Sequence, residues 1–446
     1  MGRLFGTDGI RGIAGEELSP VLAKKVGCAL THVLNKKKAR ILIGMDTRES
    51  SEGLAYALAE GIVASGSEAM MAGVCSTPAV AYLLMRHSCD AAVMISASHN
   101  PYNYNGIKVF GGDGFKLSDE LEDKIEANLE FCVSSVKGGR LSYLCSAREE
   151  YLTYLKSCFS DSLCGLRIGV DCANGSASKT AKELFSSLGA ECVMIGDAPN
   201  GVNINDGCGS THLDGLKRLV IEGGLDVGIA FDGDADRCLA VDEGGREIDG
   251  DYILALLALS LKDEGRLHGN TVVGTVMSNL GLLRLCEKNG INFVSAKVGD
   301  RYVLELMNEG GYVLGGEQSG HIILRDLATT GDGQLTALAL LSLIKKSGRS
   351  LSTLADVMKK YPQYSVNISA DAEDKAALSS DEKIKELISD AKGALGEGGR
   401  LVIRPSGTEP LIRIMAEGED TGSVKSVCDS LAEALSKRLC ELKSTV

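Results

Sequence analysis

Three stretches of the chain share one arrangement of apolar and polar positions. An apolar run of strand length closes on a polar loop, a segment with helical spacing follows, and a second apolar run completes the unit. The stretches begin at Arg40-Ile-Leu-Ile-Gly-Met-Asp46, at Arg167-Ile-Gly-Val-Asp-Cys-Ala-Asn174 and at Thr271-Val-Val-Gly-Thr-Val-Met277. Short apolar runs read as buried strands, and apolar positions three and four apart read as helices. In the second stretch the spacing predicts a helix over 177–188 and a strand over 192–195. A strand–helix–strand plan used three times predicts three α/β domains, each a mixed sheet covered by helices. Beyond about residue 361 the pattern changes to a strand over 364–368, a helix over 381–391, two strands flanking 405–410 and a last helix reaching 439, with a glycine-rich loop over 393–400. That order predicts a smaller C-terminal α+β domain. The expected divisions are 1–152, 153–251, 252–366 and 367–446.

Bulk properties remove several classes of function. With 44% apolar and 24% charged residues, the 446-residue chain has the balance of an ordinary folded protein. The longest apolar runs, 252–261 and 335–344, reach half of the ~20 residues a membrane-spanning helix needs. The opening Met-Gly-Arg-Leu-Phe-Gly lacks a signal-peptide core and places Gly6 where a myristoylation signal has Ser or Thr, so a cytoplasmic location is expected. None of the 14 cysteines forms a Cys-x-x-Cys pair, and those in apolar runs, such as Cys172, Cys192 and Cys238, read as reduced small hydrophobes. A net charge of −13 argues against nucleic acid or an anionic membrane as partner, and requires local cationic clusters if the substrate is an anion. The 54 glycines exceed the usual ~7%, which points to many loops that turn sharply or approach a ligand.

Four segments carry chemistry. In Ile95-Ser-Ala-Ser98-His99-Asn100-Pro101 an apolar strand ends at a turn set by Asn-Pro, which exposes a hydroxyl at a strand end; Ser98 and Ser96 are both candidates. Ala230-Phe231-Asp232-Gly-Asp234-Ala-Asp236-Arg237 follows another apolar strand with three carboxylates at alternate positions, an arrangement stable when a hard cation such as Mg²⁺ neutralises it. An EF-hand fits superficially, with Glu243 at its twelfth position, but Arg237 stands where that loop needs glycine and a strand precedes it, which argues against a calcium loop. An aspartyl-phosphate enzyme, with Asp232 as acceptor and Asp234 as acid/base, fits the same residues. Arg404-Pro405-Ser406-Gly407-Thr408-Glu409-Pro410, with Arg413, offers the hydroxyls, free N–H groups and guanidiniums that bind a phosphate monoester. Gly315-Gly-Glu317-Gln318-Ser319-Gly320-His321 offers Glu317 and Ser319 to sugar hydroxyls and His321 to a proton. Phe5-Gly-Thr-Asp-Gly-Ile-Arg11-Gly12 and Lys297-Val-Gly-Asp-Arg301 add two cationic loops.

Taken in order, these segments resemble the α-D-phosphohexomutase superfamily, and within it the bacterial phosphoglucosamine mutases, from Phe5 to Glu417. The resemblance implies four domains around a central cleft and an enzyme that interconverts glucosamine 6-phosphate and glucosamine 1-phosphate for amino-sugar nucleotide synthesis. It implies that Ser98 is the phosphoserine, rather than Ser96, and that Ser98 with Asp232, Asp234 and Asp236 holds one Mg²⁺ per subunit. Arg11, Lys108 and His321 are then expected beside the reacting oxygens. Arg237, Arg301, Glu317 and Ser319 are expected at the substrate, and Arg404, Ser406, Gly407, Thr408 and Arg413 at the phosphate not being transferred. Glucosamine 1,6-bisphosphate is the implied intermediate and activator, a kinase or autophosphorylation the implied source of the serine phosphate, and a homodimer the implied assembly. Gln318 and the Ile-Ser-Ala-Ser form of the serine loop are the cues for glucosamine over glucose or mannose.

Overall fold

The computed structural model describes residues 4–6, 8–130, 138–396, 398–406 and 410–444. Six strands form the first sheet: β1 (Ile10–Ile13), β2 (Arg40–Met45), β3 (Glu68–Val74), β4 (Ala91–Ile95), β5 (Tyr104–Gly111) and β6 (Arg140–Tyr143), in the order β1-β5-β4-β2-β3-β6. β2 runs parallel to β3 and β4, whereas β5 is antiparallel to β4 and β1. The second sheet holds β7 (Arg167–Asp171), β8 (Glu191–Ile195), β9 (Val227–Phe231), β10 (Cys238–Asp242) and β11 (Glu247–Ile248), ordered β11-β10-β9-β7-β8. The third holds β12 (Thr271–Thr275), β13 (Asn292–Ala296), β14 (Leu314–Gly316) and β15 (Ile322–Leu324), ordered β13-β12-β14-β15.

These sheets repeat one topology. The first strand of each strand–helix–strand unit (β2, β7, β12) lies parallel to the unit's closing strand on one side and to a later strand (β4, β9, β14) on the other. That later strand then turns into an antiparallel neighbour (β5, β10, β15). The turns β4–β5, β9–β10 and β14–β15 are the three loops singled out above, around Ser98, Asp232 and Glu317. Ligand sites of α/β sheets collect at the carboxyl ends of parallel strands, so one topology delivers the chemistry three times. β4 and β9 are buried along their whole length, which is why they read as unbroken apolar runs.

The folded chain forms two compact units, one from residues up to Thr275 with Asn292–Val357, the other from Val276–Ile291 with Met358 onward. The second unit carries an antiparallel sheet of β16 (Gln363–Ser369), β17 (Arg400–Pro405) and β18 (Leu411–Glu417), ordered β16-β18-β17. Helices Ala372–Ser380, Glu382–Leu395 and Thr421–Ser444 accompany it, and Ile368, Ile412, Ile414, Val424, Leu431 and Leu435 lie in its core. Helix Leu280–Lys288, between β12 and β13 in the chain, belongs to this unit. Its cap Asn279 accepts from the Tyr361 amide at 2.9 Å, and the Leu280 amide donates to Glu417 at 2.8 Å.

Two local expectations are corrected. The helix expected over 177–188 is a 3₁₀ turn, Ser176–Lys179, followed by a short helix, Ala181–Ser187, because Thr180 leaves helical geometry and donates its hydroxyl to Gln334 at 2.8 Å. The loop expected over 393–400 starts later: the helix runs through Gly393 to Leu395 and stops at Gly396, whose φ is +63°. Among the described residues no helix is long and apolar enough to cross a membrane, and the described cysteines are free thiols.

Candidate active site

Beyond β4 the chain separates the two candidate serines. Ser96 is fully buried, donates its hydroxyl to Asp46 at 2.7 Å and accepts the Ser98 amide at 2.9 Å. Ser96 is thus a strut under the loop. Ser98, held at a φ of +52°, turns its hydroxyl to Asp232 Oδ2 at 2.6 Å. The approach is tight: a Cβ on Gly233 would lie 2.5 Å from the Ser98 carbonyl, so the residue between the first two acids has to be glycine.

Asp232, Asp234 and Asp236 are buried, and each offers an oxygen within 4.8 Å of the others. Burial first, then repulsion from Asp236 and Asp234, pushes the Asp232 carboxyl well above the ordinary carboxylate range. Burial would do the same to Asp234, but Lys108, at 2.8 Å, and the Thr77 hydroxyl, at 2.6 Å, reverse it and hold Asp234 below that range. The second oxygens of Asp234 and Asp236 are buried without a hydrogen bond. Unsatisfied, clustered carboxylate oxygens are the donor set of a hard divalent cation, so these residues can bind a metal.

The cations stand on the neighbouring strands. Lys108 on β5 places its ammonium 2.8 Å from Asp234, 3.1 Å from Asp8 and 3.8 Å from Asp236. Burial favours its neutral form, yet Asp234, Asp8 and Asp236 outweigh burial and raise its pKa. Asp8 also pairs with Arg11 on β1 and with Lys116, and Lys116 reaches Asp300 at 2.5 Å. His321 lies 3.6 Å from both Asp236 and Asp300. Burial lowers its proton affinity, but those carboxylates raise it overall. The Gly331 amide donates to His321 Nε2 at 3.1 Å, a bond that the neutral ring accepts.

The remaining expected residues divide into four groups. Arg237 donates its amide to Asp232 at 3.2 Å, and its guanidinium lies 3.9 Å from Asp236; burial opposes its charge, while Asp232, Asp236 and Glu317 support it. On the β14–β15 turn, half-buried Glu317 accepts the Gly299 amide at 3.1 Å, half-buried Gln318 reaches Asp249 at 3.3 Å, and Ser319 is half-buried beside them. Arg301, also expected at the substrate, places its guanidinium on Asp119, on Glu122 at 2.9 Å and on the Leu117 carbonyl at 3.1 Å. In the second unit Arg404 and Arg413 are directly opposed on β17 and β18, and burial, then Arg413, depresses the Arg404 pKa. Like charges facing across a ladder destabilise it unless an anion joins them. Ser406 is buried and its amide bonds Leu411 O at 2.8 Å; Gly407 and Thr408 lie outside the described residues.

Four family models match the chain: phosphoglucomutase/phosphomannomutase alpha/beta/alpha domain I over residues 2–131, domain II over 149–245, domain III over 249–361 and the C-terminal domain over 366–434. The chain is 49% identical over 448 residues to a phosphoglucosamine mutase of Clostridium kluyveri and 51% identical over 453 residues to one of Caldicellulosiruptor bescii, each alignment covering 98% of this chain and 100% of the relative. The chain belongs to the phosphoglucomutase/phosphomannomutase family, among its phosphoglucosamine mutases. Solved structures show the same fold at lower identity. A phosphoglucomutase/phosphomannomutase family protein of Burkholderia thailandensis aligns with a TM-score of 0.81 at 21% identity, covering 97% of this chain and 98% of that one. The N-acetylphosphoglucosamine mutase of Aspergillus fumigatus, in complex with GlcNAc-6P and magnesium, aligns with a TM-score of 0.70 at 18% identity, covering 97% and 95%.

In this phosphohexomutase the first unit brings together Ser98, the three aspartates, Lys108, Arg237 and His321, with Arg11 joined through Asp8. Sequence reading missed Asp8, Lys116 and Asp300, which link the cations to His321. Asp8 and Asp300 lie inside loops singled out for their basic residues, and an acid flanked by cations in a loop was the available signal. Lys116 gave no local signal.

Proposed function

We propose that the chain interconverts glucosamine 6-phosphate and glucosamine 1-phosphate through a phosphorylated Ser98. The observation that carries this reading is the Ser98 hydroxyl, buried and 2.6 Å from an aspartate of a metal-type triad. The half-identity over full length to phosphoglucosamine mutases supports glucosamine as the sugar.

Phospho-Ser98 gives its phosphoryl group to O1 of glucosamine 6-phosphate, forming the 1,6-bisphosphate and regenerating the serine. The bisphosphate turns over and returns its 6-phosphoryl group to Ser98, leaving glucosamine 1-phosphate. A phosphate monoester resists uncatalysed cleavage, so charge neutralisation and positioning supply the rate. Asp232, Asp234, Asp236 and the serine phosphate would hold Mg²⁺, which when bound would supply Lewis-acid neutralisation of charge on the phosphoryl group. Lys108 and Arg11 stabilise negative charge on the phosphoryl group, and His321 exchanges a proton with the attacking or leaving sugar oxygen. Glu317 and Ser319 hold sugar hydroxyls, Arg237 bridges sugar loop and acid loop, and Arg404, Ser406, Gly407, Thr408 and Arg413 bind the phosphate not in transfer. Arg301, whose Nε is buried without a hydrogen bond in the cavity it lines with Asp300 and His321, binds the substrate there. The first serine phosphate comes from a kinase, from autophosphorylation or from the bisphosphate itself, in the cytoplasm.

The test supplies phosphorylated protein, Mg²⁺ and a trace of the matching bisphosphate with glucosamine, glucose or mannose 6-phosphate, and follows the 1-phosphates by phosphorus NMR. A kcat/KM advantage for glucosamine above about tenfold, roughly 1.4 kcal/mol in transition-state binding, is the expected result. An equal advantage for glucose or mannose overturns the sugar assignment, and full turnover by Ser98→Ala overturns the serine.

A further inference from the structure

We infer that Arg48, with Asp46 and Asn205, is a positioning device that fixes the backbone of Ser98 and thereby aims its hydroxyl. The inference rests on the reading of Ser98 as the phosphoryl carrier. Arg48 lies in the turn after β2, and its side chain is completely buried, as is that of Asp46. One terminal nitrogen donates to the carbonyls of Ser98 and Asn100, both at 2.9 Å, the other donates to the Pro101 carbonyl, and Nε donates to Asp46 at 2.8 Å. The guanidinium therefore grips three carbonyls of one loop.

Asp46 completes the grip from below. It accepts Arg48 Nε and the Ser96 hydroxyl on one oxygen, and the Ser51 hydroxyl at 2.6 Å with the Arg48 amide at 3.0 Å on the other. Ser96 in turn accepts the Ser98 amide. From the second sheet's side, the Asn205 amide group donates to the same two carbonyls, Ser98 at 2.9 Å and Asn100 at 3.0 Å. The N–H of Ser98 is thus anchored through Ser96, and its carbonyl receives two donors. A non-glycine residue at a φ of +52° sits in a sparsely populated region and persists only where its surroundings over-determine it. Those anchors supply the constraint.

The chemistry explains why the clamp should matter for rate. In-line phosphoryl transfer needs the serine oxygen placed within a fraction of an ångström, and a misplacement of about 1 Å costs on the order of 100-fold. Lysine at position 48 keeps the charge but cannot satisfy three carbonyls and a carboxylate from one planar fork. Substrate touches none of Asp46, Arg48 or Asn205 in this scheme, so their loss should appear in kcat and leave KM unmoved.

The experiment compares wild type, Arg48→Lys, Asn205→Ala and the double variant. It measures thermal unfolding, phosphate on Ser98 by intact-mass analysis, the phosphoserine ³¹P shift, and kcat and KM for glucosamine 6-phosphate. We expect Arg48→Lys to be phosphorylated on Ser98 with a displaced ³¹P resonance, and its kcat to fall about 100-fold with KM within about threefold. Asn205→Ala should lose about tenfold in kcat, and the double variant should lose less than the product of the single losses, because both residues hold the same carbonyls. Phosphorylated Arg48→Lys or Asn205→Ala with wild-type kcat, or with the loss confined to KM, overturns the inference. Should Arg48→Lys not fold, Asn205→Ala alone decides it by the same readouts. Absence of phosphate on Ser98 in active wild-type enzyme overturns the phosphoserine reading instead, and so separates the two failures.

Discussion

Replacing Lys108 by methionine removes the cation that offsets the acid cluster and preserves the length of the side chain. The ammonium lies 2.8 Å from Asp234 and 3.1 Å from Asp8, with its side chain 1% exposed. At an effective dielectric constant of about 20 the nearest pair attracts by roughly 6 kcal/mol, a gross figure that desolvation largely cancels. Truncation is a different quantity: it strands buried carboxylates without their partner, which costs about 3–5 kcal/mol. A domain of 150–250 residues loses about 2–4 °C of melting temperature per kcal/mol, so Lys108→Met should melt about 6–20 °C below wild type in EDTA. Added Mg²⁺ should then raise the melting temperature of the variant more than that of wild type, because the ion replaces a neutralising charge that wild type retains. Differential scanning calorimetry with and without Mg²⁺ reads both effects, with Lys108→Arg as a control that keeps the charge. Equal melting of Lys108→Met and wild type in EDTA, or equal Mg²⁺ shifts, would refute the view that lysine and metal share one electrostatic task.

Other expectations follow from the same geometry. A methyl at Gly233 would meet the Ser98 carbonyl at 2.5 Å and Ile204 at 2.8 Å, so Gly233→Ala should lower stability by about 1–3 kcal/mol and displace the serine; unchanged melting and turnover would contradict the contact. Burial raises Asp332, the cap of helix Gly333–Ser347, from 3.8 to about 6, despite the Leu335 amide and Tyr151 hydroxyl that it accepts. A raised folded-state value means that stability linked to this group is full below about pH 4 and is lost as pH rises through 6, by about 3 kcal/mol at most. Asp332→Asn should therefore flatten the pH dependence of melting between about pH 4 and 7, and an unaltered slope would reject this assignment. Arg404→Ala should relieve the charge facing it on β18, leaving the unliganded C-terminal unit at least as stable, while raising KM for the phosphosugar about tenfold or more. A destabilised variant with unchanged KM would show that the residue is structural.

Much of this architecture was legible because its decisive strands are buried on both faces. Ala91–Ile95 and Val227–Phe231 are unbroken apolar runs that end where polar loops begin, so both the strands and the position of Ser98 and Asp232 at their ends could be read directly. Alternation of three acids after such a strand has few stable explanations besides a cation. Local pattern could not choose Ser98 over Ser96, because the choice is made by Asp46, fifty residues earlier in the chain, which occupies the Ser96 hydroxyl. Arg48 and Lys116 were silent for the same reason: each acquires meaning only when the folded sheets bring distant charges and carbonyls to it. The broken helix at Thr180 is a tertiary override, since its hydroxyl is drawn to Gln334, which no helix periodicity encodes.

Helix Leu280–Lys288 has a consequence for how this gene can be cut and recombined. It is encoded between two strands of the third sheet, yet it is held by Tyr361 and Glu417 of the C-terminal portion. The polypeptide therefore passes from one unit to the other at 275/276, at 291/292 and at 357/358. A stop codon near residue 366 would not release a self-sufficient three-domain protein, because the Leu280 amide would lose Glu417 and the helix would lose the sheet of its own unit. Exchange of C-terminal parts between relatives should succeed only when segment 276–291 travels with the segment that follows 358, so that the two are inherited as one cassette despite the 66 residues, 292–357, that separate them.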